Sequence, residues 1–110
     1  LFPTNSPWLD QHITKNYQSL SKKFSDIENL KLVLYGHVHQ EMKTVLNNTT
    51  FVSTPSTSLQ FLPDKKIFTL DNKNPAYTIF NLYSDSSFDI NYKSTKGFFG
   101  EPHKKPKLYE

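Results

Sequence analysis

The sequence predicts an α/β fold, a layered sheet with a β-rich end, and three observations carry that expectation. Ile13, Tyr17, Leu20 and Phe24 recur at spacings of four, three and four, which is one face of a helix. Residues 30–35 (LKLVLY) form a short, nearly continuous apolar run, the pattern of a strand buried on both faces. Residues 77–83 and 88–93 flank Ser-Asp-Ser-Ser, and the second segment alternates Phe88, Ile90, Tyr92 with Asp89, Asn91, Lys93, as a hairpin with one wet face does. A buried strand after a helix belongs to a layered sheet. One helix cannot cover both faces of such a sheet, so the pattern is that of a piece of a larger domain.

Taken in order, residues 1–7 (LFPTNSP) carry two prolines with Asn and Ser and read as a loop. The helix follows, with Lys15, Gln18, Lys22 and Lys23 on its solvent side, and residues 25–29 end it. After the strand at 30–35, residues 47–50 (NNTT) suit a turn. Phe51 and Val52 then suit a short strand that Pro55 breaks. Residues 63–75 are rich in Lys, Asn and Asp and read as an exposed loop with one short strand at 67–70. Residues 96–110 hold two prolines and several lysines and are expected to form a poorly ordered tail.

Composition narrows the chemistry. The chain has 110 residues, so it holds at most one domain of ordinary size. It has no cysteine, which excludes a disulfide frame and a thiolate metal site. Any metal must take imidazole and oxygen ligands, as zinc, manganese or iron do. No apolar run approaches the roughly 18 residues of a membrane span, and no secretory signal is visible. The expected location is cytoplasmic, with no membrane partner. The net charge of +3 is spread along the chain, all of it from lysine, without an aromatic-basic platform. A nucleic-acid partner is therefore not expected, while oligomerisation remains open.

One motif stands out. In Gly36-His37-Val38-His39, two of the four histidines lie one residue apart, directly after the buried strand. The carboxyl ends of such strands are where ligand sites collect. Whether the strand continues or the glycine turns the chain, the i, i+2 spacing brings two nitrogen ligands together. Gly36 would add freedom of φ and let a metal or phosphate approach closely. Two histidines alone do not complete a metal site, and a pair without any ligand is the alternative.

Gly36-His37-Val38-His39-Gln40-Glu41, followed by Ser53-Thr54-Pro55-Ser56-Thr57 and Gln60-Phe61, closely resembles the C-terminal half of the calcineurin-like metallophosphoesterases. Within that family it looks most like the bacterial 3′,5′-cyclic-AMP phosphodiesterases. Trp8-Leu9-Asp10-Gln11-His12 upstream and Phe68-Thr69-Leu70-Asp71 downstream match in order and approximate spacing. The similarity covers residues 1–95, which are assigned as the C-terminal portion of the family domain.

The resemblance implies a partial four-layered α/β/β/α sandwich and two divalent ions of the Fe, Mn or Zn type. By the family pattern His37 would bind the second metal and His39 the first, and a bridging hydroxide would attack phosphorus of 3′,5′-cyclic AMP. The family's other ligands come from D-x-H, G-D, G-N-H and a single histidine. This chain has no G-D and no G-N-H, and Asp10-Gln11-His12 lies where the family has no metal ligand, so that D-x-H reads as coincidence. The chain is thus expected to begin after the single histidine. Its partners would be a cyclic nucleotide or phosphodiester and the missing N-terminal half of the domain, and it would be inactive alone. The alternative is a non-catalytic remnant or interaction module.

Further candidates are weaker. Thr54, Ser56 and Thr57 carry short hydroxyls suited to phosphoryl oxygens, or to a turn at a strand end. Trp8 could stack on a base or anchor its loop. Glu41 is a candidate to orient His39. His12 and His103 read as surface residues, and the Lys-Lys pairs as solvated.

Overall fold

A computed structural model describes residues 1–96 of the chain. Two helices and five strands follow one another: α1 (Pro7–Asp10), α2 (Tyr17–Ser25), β1 (Leu32–Tyr35), β2 (Met42–Leu46), β3 (Thr49–Ser53), β4 (Ala76–Leu82) and β5 (Phe88–Ser94). The strands form a three-stranded sheet of order β1-β3-β2 and a separate β4-β5 hairpin. This is a small α/β arrangement with two sheets. The tail assigned from residue 96 lies, beyond Lys96, outside the described residues, as does His103.

The sheet is mixed. β1 runs parallel to β3, with Leu32 opposite Thr50 and Tyr35 opposite Ser53. β2 is antiparallel to β3, with Met42 opposite Ser53 and Leu46 opposite Thr49. β3 is therefore central, and Phe51, Val52 and Ser53 are fully buried in it. Phe2 meets Phe51 edge-on at 5.2 Å between ring centroids, and Phe24 of α2 reaches Phe51 at 6.5 Å. Phe2 also approaches Tyr17 and Tyr35, both at 6.3 Å. Aromatic rings of the opening loop and the helix thus close one face over the central strand.

A second cluster forms around Leu9, Val38 and Phe61, with Trp8, Tyr35, Met42 and Phe68 packed against it. Trp8 lies edge-on to both Phe61 and Phe68, at 5.0 and 4.9 Å. Its role is to anchor the loop.

The structure differs from the sequence expectation at several elements. β1 is an edge strand whose Leu34 is 48% exposed, so it is not buried on both faces. Among the described residues only β3 pairs with it. The helix starts at Tyr17 and not at Ile13, which belongs to the turn that follows α1 and bonds its N–H to the Asp10 carbonyl. α1 itself was not anticipated, although Ser6 before Pro7 is a helix-start signal. β2 was also missed. It pairs with β3 through a turn in which Asn47 takes a φ of 52°, a conformation asparagine tolerates. Residues 67–70 form no strand, only a single bridge from Leu70 to Phe61, and Ile67 is exposed. The expected hairpin is present, with Phe80 opposite Ile90 and Leu82 opposite Phe88.

Phe51 joins the helix, the opening loop and the sheet. Phe51→Ala is expected to destabilise the chain by about 3–5 kcal/mol, read from the midpoint shift in urea unfolding followed by circular dichroism.

Candidate functional site

β1 ends at Tyr35, and the chain turns through the histidine motif. Val38 sits between the histidines and is buried in the Leu9–Phe61 cluster. Burying that side chain leaves the two imidazoles to face the cleft on its border. His37 and His39 take φ values of 78° and 50°, in the left-handed region. For residues with a Cβ that conformation costs on the order of 1 kcal/mol each, and such outliers collect at functional sites. The turn's unusual backbone therefore lies at the histidines, whereas Gly36 was expected to provide it. A Cβ built on Gly36 would meet open space.

Two clamps hold this turn. The fully buried Ser53 hydroxyl donates to the Gln40 carbonyl at 2.6 Å and accepts the Met42 N–H at 3.0 Å. His39 Nδ1 lies 2.9 Å from the Leu59 carbonyl, which can only accept, so Nδ1 carries the proton. The Nε2 electron pair is then free for a ligand, which is the arrangement of metal-binding imidazoles. The His39 ring stacks on Phe61 at 4.1 Å with 2° between planes. Burial pulls its pKa below the ordinary imidazole value, the hydrogen bond to Leu59 opposes that, and nearby His37 adds to the lowering. Leu59, not Glu41, orients this ring.

His37, His39, His12, Trp8, Leu9 and Phe61 line one cavity of about 190 Å³. His39 also borders a larger neighbouring cavity of about 330 Å³, with Gln40, Glu41, Asp64, Asp71 and Lys73 on its wall. His12, read from sequence as a surface residue, is exposed yet stands edge-on to His37 at 6.3 Å between centroids. Asp10 is occupied otherwise. Its Oδ1 accepts both the Thr4 N–H (2.8 Å) and the Thr4 hydroxyl (2.7 Å). The Asp10-x-His12 spacing is thus a loop clamp followed by a cleft residue.

Thr54, Ser56 and Thr57 line neither cavity. The Ser56 hydroxyl accepts the Ser58 N–H at 3.0 Å within a turn. That turn is held by the buried Gln60 amide, whose Oε1 accepts the Ser56 N–H while its Nε2 donates to the Ser56 and Asn74 carbonyls. Ser53 and Gln60 were missed as site-building residues. The serine and glutamine stood in the motif string, but nothing in a string tells which hydroxyl is buried against which carbonyl.

Divalent metal chemistry fits His37 and His39 as nitrogen donors. Among the described residues, no group of three or more His, Asp or Glu side chains is arranged to hold an ion. The pair therefore fits as part of a shell. No helix among those residues is long and apolar enough to cross a membrane.

No model of a known protein family matches the chain. Individual proteins do. Over 93 residues the chain is 41% identical to a 3′,5′-cyclic adenosine monophosphate phosphodiesterase of Haemophilus influenzae, covering 84% of the chain and 34% of that protein. It is 35% identical over 85 residues to the enzyme of the same name from Escherichia coli K12, covering 77% and 31%. It is 32% identical over 84 residues to a 3′,5′-cyclic-nucleotide phosphodiesterase of Nostoc, covering 76% and 32%. The chain spans about a third of the length of these relatives.

The His39 environment predicts a pH effect. A folded-state pKa below the usual 6.5 means that neutral imidazole favours the fold. That contribution is complete above pH 6.5 and is lost as the pH falls through the depressed value. In chelator-treated protein, the His39 ring resonances are expected to titrate below pH 6.5, and His39→Gln should flatten the loss of thermal stability over the same window.

Proposed function

This chain is a relative of the bacterial 3′,5′-cyclic-nucleotide phosphodiesterases, and on that premise we propose that it forms the C-terminal part of a metal-dependent phosphodiesterase acting on 3′,5′-cyclic AMP. The observation that carries the proposal is the His37-Val38-His39 turn at the carboxyl end of β1. Its second imidazole is held as a neutral donor by the Leu59 carbonyl.

His37 and His39 are the residues of this chain that would hold the two divalent ions. When bound, such ions generate a nucleophile from water at neutral pH and neutralise phosphoryl oxygens. The chain's own contribution is orientation and dryness. The proton on His39 Nδ1 stays on the hydrogen bond to Leu59, which leaves Nε2 available. Partial burial and the neighbouring His37 disfavour the imidazolium that would repel a cation. Trp8, Leu9 and Phe61 give the cleft an apolar wall, which strengthens electrostatic interactions inside it. Val38 locks the turn into the core, so the two donors keep fixed positions. The sandwich layers of the resembled family, with the remaining ligands on them, complete this reading. Cytoplasmic cyclic AMP is its substrate.

The test is hydrolysis of 3′,5′-cyclic AMP by the full-length protein supplied with manganese or iron. His37→Ala and His39→Ala are each expected to lower the rate by about a hundredfold or more, since changes around metal ligands alone cost on the order of 10–100-fold. Hydrolysis at the unmodified rate in the His39 variant would refute the assignment.

A further inference from the structure

Two neighbouring cavities meet at His39. The one that both motif histidines line measures about 190 Å³, below the roughly 300–1,000 Å³ usual for small-molecule pockets, whereas the other, at about 330 Å³, lies within that range. His39 and Phe61 border both, so a group held at the histidines lies next to the larger space. Met42, Pro55 and Pro63 join Phe61 there as apolar wall, which suits a flat ring. The charged side chains on the same wall are Glu41, Asp64 and Asp71 against Lys73. Carboxylates outnumber the ammonium, so the larger space disfavours a phosphate and suits neutral groups that donate hydrogen bonds. An aminopurine carried on a ribose is such a group.

We propose that this larger cavity seats the nucleoside half of the substrate, with the Asp71 carboxylate accepting a hydrogen bond from the exocyclic amine of the base; the assignment rests on the phosphodiesterase reading and adds its specificity residue. Of the three carboxylates, Glu41 and Asp64 are exposed and Asp71 is half-buried. Its backbone is fixed as well. The Asp71 N–H donates to the Gln60 carbonyl at 2.9 Å, and buried Gln60 is itself tied to Ser56 and Asn74 through its amide. A charged acceptor on a fixed backbone, partly withdrawn from water, gains more from a donor than an exposed one does. Lys73 lines the same wall two residues along and supplies a donor. Acceptor and donor together match the edge of adenine, which presents an amine beside a ring nitrogen that accepts. The phosphate then stays at the histidines, outside the reach of these carboxylates.

The test uses adenosine, which has no phosphate to engage an ion, titrated calorimetrically into the full-length protein. Adenosine is expected to bind, and purine riboside, which lacks the amine, to bind about tenfold more weakly, the worth of one hydrogen bond to a charged group. Asp71→Asn should weaken adenosine by a similar factor and leave purine riboside little changed. In hydrolysis of 3′,5′-cyclic AMP the same variant should raise KM by about tenfold with kcat within about twofold, as loss of uniform binding does. The comparison of the two nucleosides needs no variant, so it decides the matter even should Asp71→Asn fail to fold. Equal binding of the two by the parent protein overturns the assignment, as does a parent that binds neither. Either result alongside intact, His39-dependent hydrolysis removes the nucleoside seat and leaves the phosphodiesterase reading standing. Amine-dependent adenosine binding without any hydrolysis supports the seat and removes the activity.

Discussion

The hydroxyl of Ser53 is the join on which the site depends. It lies at the end of the central strand, fully buried, and bridges the carbonyl of Gln40 and the N–H of Met42. Those two backbone groups bracket the end of the histidine turn and the start of β2. A net hydrogen bond contributes only about 1 kcal/mol, yet leaving either buried backbone group unpaired would cost more. The same side chain therefore ends one strand, starts another and fixes the turn between them. Pro55 two residues later removes any option of continuing β3 past that point.

Around this join, buried polar groups hold the loops. Gln60 engages Ser56 through both ends of its amide and reaches Asn74 as well. Thr4 ties the opening loop to Asp10, and the Ser6 hydroxyl accepts the Lys65 N–H across 59 residues of chain. The aromatic rings then fill the spaces between these clamps. Phe61 serves twice, packing on Trp8 and Phe68 and stacking on His39. Core and site consequently share a wall, and a change at Phe61 would be felt by both.

The sheet is less self-contained than its centre. β1 presents Leu34 to solvent and has a neighbour on one side only among the described residues. The Lys31 carbonyl accepts the Thr50 N–H, so in the alternating parallel pattern the polar groups of Leu32 and Leu34 point to the outer edge. Parallel strands are ordinarily covered on both faces, and this one is covered on part. The relatives are about three times as long as the matched stretch. That proportion and the open edge of β1 are compatible features of one molecule.

Much of this molecule was legible along the chain. The period-two pattern of residues 77–93 marked the hairpin, because alternation needs no knowledge of neighbours. The Gly-His-Val-His string marked the candidate residues that line the cleft, since residue types that can bind metal are rare and their spacing is local. Other features had no local signal strong enough. The short apolar run at 30–35 looks the same in a buried central strand and an edge strand, and only the pairing order distinguishes them. β2 carries lysine and threonine, and it became a strand because β3 offered it an edge. What the sequence by itself determined was which side chains can carry chemistry and where the hairpin folds. Which nitrogen of His39 is free, which hydroxyl holds the turn and which distant histidine faces His37 were decided by tertiary structure. Each depends on a contact between residues far apart in the chain, and a partner's distance in space is not written in its distance in sequence.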